Sequence, residues 1–266
     1  MSEHADILKQ SVGRLFAELT DAPGHDDAAW QSIEEMGIPS LFLPEDDGGM
    51  AGSWSDAESV FRLAGYHAIG LPVGETMIAR KLCAEAGIEI ADGPVAEDWW
   101  RDDRIDGDKA FHCMAFLRTA QAAGVLSACL EMCIRYAQER SQFGRELRKF
   151  QAIQHQIALL AEEAAAVSAA SMAAAAALDR GDGAFEVACA KLRANQAAGP
   201  GALIAHQIHG AIGITEEFGL HRFTRRLWAW RGEFGNDRHW SQWLGQHMLR
   251  CDEGSPWHIL TRSHSA

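Results

Sequence analysis

Three short runs carry the residue types best suited to chemistry. The first is Tyr136-Ala137-Gln138-Glu139-Arg140-Ser141-Gln142-Phe143-Gly144, followed closely by Phe150-Gln151-Ala152-Ile153-Gln154-His155. Arg140 can give paired, charge-assisted hydrogen bonds to an anionic group such as a phosphate. Phe143 offers a flat apolar surface to a ring or sugar edge. The second run, Gln207-Ile208-His209-Gly210-Ala211-Ile212-Gly213-Ile214-Thr215-Glu216-Glu217, joins an amide donor to a glycine at a helix end. Without a Cβ, Gly210 lets the backbone approach an anion closely. The third, Trp228-Ala229-Trp230-Arg231-Gly232-Glu233-Phe234-Gly235-Asn236, contains the carboxylate Glu233 between two aromatic residues. A partly desolvated carboxylate within reach of a carbon acid is a general base. Each residue also has a structural reading. Arg140 alone suits a surface ion pair and Phe143 alone a core. Gln151 and Gln207 suit solvated helix positions, and His155 and His209 suit packing. An ion pair with Arg231 would give Glu233 a structural role.

Helices must position these runs. Ile7, Leu8, Val12, Leu15, Phe16 and Leu19 recur at helical spacing, until Asp21-Ala22-Pro23-Gly24 breaks the pattern. A second helix is expected over Ala28–Met36, with Gly37 at its C′ position. Ile38 to Glu45 reads as an extended, buried connector, and helices resume near Ser55–Tyr66 and Glu75–Glu85. Residues 87–109 are rich in Gly and Asp and read as a loop, with the Trp99-Trp100 pair packed on a neighbouring helix. From about Lys109 to Met248 the pattern is almost wholly helical. Long helices are expected over Leu117–Glu139, Phe150–Asp179 and Ala184–His209, with a shorter one over Leu220–Arg231 that Thr215 could cap. The alanine-rich second of these requires a closely packed partner helix. No set of alternating strands is visible, and no strand leads into G-x-G-x-x-G, so a Rossmann site is excluded.

The fold expected from these elements is all-α, an N-terminal helical domain plus a C-terminal four-helix bundle. The divisions are 1–86 for the N-terminal domain, 87–112 for a linker, 113–250 for the bundle and 251–266 for a tail. The chain of 266 residues carries 24 Lys+Arg against 37 Asp+Glu, a formal net charge of -13, which disfavours a nucleic-acid partner. Its six cysteines contain no C-x-x-C pair, so no metal ribbon or redox motif is expected. No metal site, membrane span or signal peptide is read from the sequence, and the reduced thiols point to the cytoplasm.

Beyond composition, the first two runs resemble the Y-A-x-E-R-x-Q-F-G … F-Q-A-x-Q-H and Q-x-H-G-G-x-G-[YF]-T-x-E signatures of acyl-CoA dehydrogenases. Trp30, Gly37-Ile38-Pro39, Leu43-Pro44-Glu45 and Gly48-Gly49 resemble that family's N-terminal domain. The resemblance covers roughly residues 1–85 and 113–240. It implies FAD as cofactor, an acyl-CoA substrate, and a flavin site shared between subunits. Carried over by resemblance, Arg140, Gln142, Phe143, Gln151, Gln207, Ile208 and Gly210 would grip the adenine half of a flavin held mainly by a neighbouring subunit. Ala211 stands where the family usually has a second glycine.

Two departures shape the expectation. The family's middle β-domain is reduced here to the stretch near residues 87–109. A gapless match from Arg225 puts Phe234, not Glu233, at the family's base position, and Met114-Ala115-Phe116-Leu117-Arg118 supplies no carboxylate at the alternative one. Leu220–Arg231, Arg118-Thr119-Ala120-Gln121-Ala122-Ala123-Gly124 and Pro72-Val73-Gly74-Glu75-Thr76 resemble a subgroup of short subunits, some of which pair with a full-length sister and act on bulky thioesters, including steroid fragments. The resemblance therefore implies a homo- or hetero-oligomer in which a second subunit supplies the base. Glu233 as base of a self-sufficient homo-oligomer, and a flavin-free regulatory or structural subunit, are the alternatives.

Overall fold

The computed structural model describes residues 3–20, 26–89, 92–95 and 98–250. Among them lie helices α1 (Glu3–Glu18), α2 (Asp27–Glu35), α3 (Trp54–Tyr66), α4 (Val73–Glu85), α5 (Gly107–Glu139), α6 (Gln151–Asp179), α7 (Ala184–His209), α8 (Leu220–Trp230) and α9 (Asp237–Arg250). The only strands among the described residues are a two-residue pair, Ser141–Gln142 against Arg145–Glu146, so the all-α expectation holds.

Local chemistry sets the helix starts. Asp26 accepts from the Ala29 backbone N–H at 3.0 Å to open α2. Ser53 and Asp56 form a reciprocal capping box on α3. Asp179, at the end of α6, accepts from the Trp54 N–H at 2.6 Å and so ties the start of α3 to the bundle. Asp106 accepts from the Asp108 and Lys109 N–H groups, both at 3.0 Å, so α5 begins well before periodicity makes it legible. Gly37, at φ 73°, closes α2 as expected. Ile38 to Glu45 is not extended. It contains short 3-10 turns at Ile38–Ser40 and Glu45–Asp47, because Gly37 reverses the chain and Pro39 starts a tight turn. Thr215 is not the cap of α8. It closes a 3-10 turn, Gly210–Ile214, and Gly219 at φ 75° precedes α8. α9 was not separated from the preceding helix by its sequence pattern.

Helices α5, α6 and α7 pack pairwise, and α8 and α9 close the remaining side against α5 and α7. Two apolar clusters result. One joins α1–α4 to the first half of α5, with Val187, Ala188 and Trp240. The other fills the space between the far halves of α5, α6 and α7 and α8. α5 is the shared spine. At its crossing with α3, a Cβ on Gly124 would lie 1.9 Å from the Arg62 carbonyl oxygen, and one on Gly65 would lie 2.0 Å from that of Gln121.

By length and composition α5 and α6 are each apolar enough to cross a membrane, contrary to the sequence reading. For α5 this reflects the core, since 83% of its most apolar stretch is buried. For α6 only 28% is. The sequence reading missed this because the apolar character of α6 comes from alanine rather than from larger side chains. Cys113 and Cys133 are buried, and burial pushes both thiols up to about 12, which makes them unreactive packing groups. Cys251 and the tail 251–266 lie outside the described residues.

Candidate functional site

The sequence candidates separate into two places. The first is the end of the bundle where α5 stops, α6 starts and α7 stops. Arg140 turns into extended backbone (φ -82°, ψ 127°), and the chain enters the small hairpin. Its turn places Phe143 at φ 52° and Gly144 at φ 78°, the twist that suits a tight hairpin. Phe143 is thereby held 91% exposed. Arg140 is exposed and has no ion-pair or hydrogen-bond partner for its side chain among the described residues. Gln142, Gln151 and Gln207 are exposed at the same end of the bundle. Gly210 has φ 62°, with nothing within 4 Å of where a Cβ would lie. The Ile208 side chain is 4% exposed and belongs to the core.

His209 is buried beneath this end. Its Nδ1 donates to the Ala205 carbonyl at 2.7 Å, and its ring lies 4.7 Å from both Tyr136 and Phe218. Burial lowers its pKa, so it is a neutral packing group. His155 lies exposed on α6.

The second place is a cavity of about 550 Å³ lined by Pro72, Glu75, Val95, Trp99, Trp100, Met114, Arg118, Glu233 and Phe234. Arg118 is its organising group. Its Nε donates to Glu233 Oε2 at 2.7 Å, and its Nη1 to Glu75 Oε1 at 2.6 Å and Gln121 Oε1 at 2.8 Å. Its guanidinium also lies 5.5 Å from the Trp230 ring centre and 5.9 Å from that of Phe234. Burial acts against the charge on Arg118, but Glu75 and Glu233 outweigh it and raise its pKa. Glu75 Oε2 is buried with no hydrogen-bond partner.

Three expectations change here. Glu233 pairs with Arg118, not Arg231, which instead binds Asp237 at 2.6 Å. Residues 231–235 are a turn rather than a continuation of α8, with Phe234 at φ 50°, so Glu233 and Phe234 both line the cavity instead of facing apart by a helical step. Of the tryptophan pair, Trp99 packs on the core while Trp100 is 40% exposed.

Sequence reasoning singled out Pro72–Thr76 and Arg118–Gly124 as motifs without giving them a task. The structure brings them together as the Glu75–Arg118 pair. Lys191 was missed altogether. It is 1% exposed and donates to Asn195 Oδ1 at 2.5 Å and the Trp230 carbonyl at 2.8 Å, directly behind the cavity. A lone lysine on the apolar stripe of α7 was the available signal.

Arg118 lies within α5, and Arg140 is the residue that caps the helix's end. At about 1.5 Å rise per residue they are about 33 Å apart, so the two places do not meet within one chain.

Comparison with known proteins gives one family. Residues 108–237 match the acyl-CoA dehydrogenase C-terminal domain. Acyl-CoA dehydrogenase IpdE2 of Mycobacterium tuberculosis is 25% identical, over 84% of this chain and 91% of its own. Glutaryl-CoA dehydrogenase of Desulfococcus multivorans is 39% identical over a shorter stretch, 40% of this chain and 28% of its own. Among solved structures, the Tcur3481-Tcur3483 steroid ACAD G363A variant superposes with a TM-score of 0.81 at 18% identity, covering 93% of this chain and 98% of that one. The ChsE4-ChsE5 complex from Mycobacterium tuberculosis does so with a TM-score of 0.81 at 17% identity, covering 95% and 99%. Residues 108–237 thus belong to the acyl-CoA dehydrogenase C-terminal domain family, and the chain as a whole, with its two signature runs and a fold without most of the β-domain, is similar to that family's short members.

Proposed function

We propose that this chain is one subunit of a flavin-dependent acyl-CoA dehydrogenase that works with a fuller sister subunit on a bulky, steroid-derived acyl-CoA. The observation that carries this reading is the separation of the two places. The exposed Arg140, Gln142, Phe143, Gln151, Gln207 and Gly210 suit the adenine and pyrophosphate half of FAD: an unpaired guanidinium, a presented ring, amide donors and an open glycine backbone. They stand about 33 Å along α5 from the cavity that suits the acyl group, so the grip serves a flavin lying mostly in a neighbour. When bound, FAD supplies the acceptor for the β-hydride. The heteromeric and steroid-related names of the similar solved structures agree with this reading.

Within the cavity this chain provides shape rather than a free base. Phe234 occupies the family's base position, and Arg118 binds Glu233. A base must be aimed at the α-carbon proton, and here one oxygen of Glu233 is engaged at 2.7 Å. The α-proton is then taken by the sister subunit, while Trp99, Trp100, Met114 and Phe234 enclose the acyl group. The competing assignment, Glu233 as base, draws on its place in the cavity wall and its 39% exposed side chain.

Glu233→Gln distinguishes the two. The variant is assayed in the co-expressed assembly by acyl-CoA-dependent bleaching of flavin absorbance, with flavin content checked. The expected change is less than about threefold, whereas loss of a general base costs roughly a hundred- to ten-thousand-fold. A loss of that size with flavin and assembly intact assigns the base to Glu233 and the chain to a self-sufficient oligomer. An assembly that contains no flavin at all makes the chain a structural subunit.

A further inference from the structure

We propose that Lys191 is a positioning residue of the Arg118 cavity: its buried amine ties together the two ends of the segment that presents Glu233 and Phe234. The proposal rests on the reading of that cavity as the acyl site.

Lys191 lies within α7 and is 1% exposed. It forms no ion pair among the described residues. Its partners are instead Asn195 Oδ1 at 2.5 Å and two main-chain oxygens, those of Trp230 at 2.8 Å and Gly235 at 3.4 Å. These oxygens flank the turn between α8 and α9. Asn195 reinforces the far end, its Nδ2 donating to the Gly235 carbonyl at 3.1 Å. Trp240 Nε1 donates to the Phe234 carbonyl at 3.0 Å. Three of the turn's carbonyls are therefore captured from the core side, while the side chains of Glu233 and Phe234 line the cavity.

The backbone needs this support. Phe234 has φ 50°, a conformation a non-glycine residue adopts only when its surroundings hold it there. Gly235 has φ 98°, and a Cβ there would lie 2.3 Å from Trp240 Nε1. Burying a lysine without a direct counter-ion is unfavourable, and a leucine or methionine would satisfy the helix face. What the lysine adds is a donor reaching both ends of the turn. Burial lowers its pKa to about 7, and a neutral amine still donates to both nearer partners, so the role does not require a fixed charge.

The test follows the Arg118 Nε–H, which donates to Glu233, by its rate of exchange with solvent in side-chain NMR spectra of the full chain. The partly exposed Arg62 Nε–H donates to the buried Glu58 elsewhere in the molecule and serves as the internal reference for global loosening. In Lys191→Met the Arg118 signal is expected to exchange at least fivefold faster while Arg62 changes less than twofold. A smaller Arg118 effect, or an equal acceleration of both, overturns the proposal. If Lys191→Met does not fold, Asn195→Ala carries the same test with the same criteria, since it removes one lysine partner and the second donor to Gly235. Flavin bleaching by acyl-CoA in the wild-type assembly is measured alongside. Its absence sinks the functional reading without touching the exchange result.

Discussion

At the residue scale, the chain divides its charged groups between two tasks. Arg118 is consumed by Glu75 and Glu233, and it fixes the cavity wall. Arg140 has no partner among the described residues, although the chain carries many more acidic than basic residues. A guanidinium left unpaired in so acidic a molecule is available to an incoming anion. A charge-assisted hydrogen bond contributes roughly 1.5–3 kcal/mol. Arg140→Ala should therefore weaken FAD binding to the assembly by about one to two orders of magnitude, measured by titrating flavin into the flavin-depleted complex. Unchanged affinity would remove Arg140 from the pyrophosphate. The identity of this residue was legible from its run. The Arg118 triad was not, because Glu75, Arg118 and Glu233 come from three remote segments and none looks unusual locally.

At the element scale, the crossing of α3 and α5 decides how the N-terminal helices sit on the bundle. Gly65 and Gly124 let the two backbones touch, which no larger residue permits at the distances found. Gly124→Ala forces a Cβ to 1.9 Å from the Arg62 carbonyl oxygen, which is main chain and cannot swing aside. Overpacking of this kind costs about 1–3 kcal/mol, occasionally more. Calorimetry should show a melting temperature lower by about 2–12 °C, at roughly 2–4 °C per kcal/mol. Gly245→Ala in α9 is the control. Nothing lies within 4 Å of a Cβ there, and removing a helical glycine should raise stability by about 0.5–1 kcal/mol. If both variants melt like the parent, the helices do not cross as closely as described. The sequence announced α5 as a helix but gave no sign of this crossing, since glycine in a helix reads only as a weak position.

At the scale of the whole molecule, the notable surface is the outer face of α6. Ala158, Glu162, Ala165, Ala169, Met172 and Ala176 follow one another at spacings of four and three residues, and all are exposed. One charge along such a face is too little for a helix meant to meet water on that side. Small side chains let another helix approach closely, in agreement with the oligomer in the functional reading. Ala169→Glu should leave the fold of the isolated chain within about 0.5 kcal/mol, as exposed substitutions do, yet break the assembly in sedimentation velocity. An assembly that survives unchanged would place the interface elsewhere.

The sequence by itself determined the helical class, most helix ends and the resemblance of the Arg140 run to a family signature. Capping residues, breakers and signature motifs act over a few neighbours, and a linear reading captures them. Only the tertiary structure decided what Glu233 does. The expected partner, Arg231, is the nearer in sequence, but it turns to Asp237, and Arg118 reaches Glu233 from the middle of α5. The turn that allows this depends on positive φ at Phe234 and Gly235, on Trp240, and on a lysine buried in another helix. Those are long-range contacts. Their partners are chosen by how the helices pack, and sequence spacing carries no record of that choice.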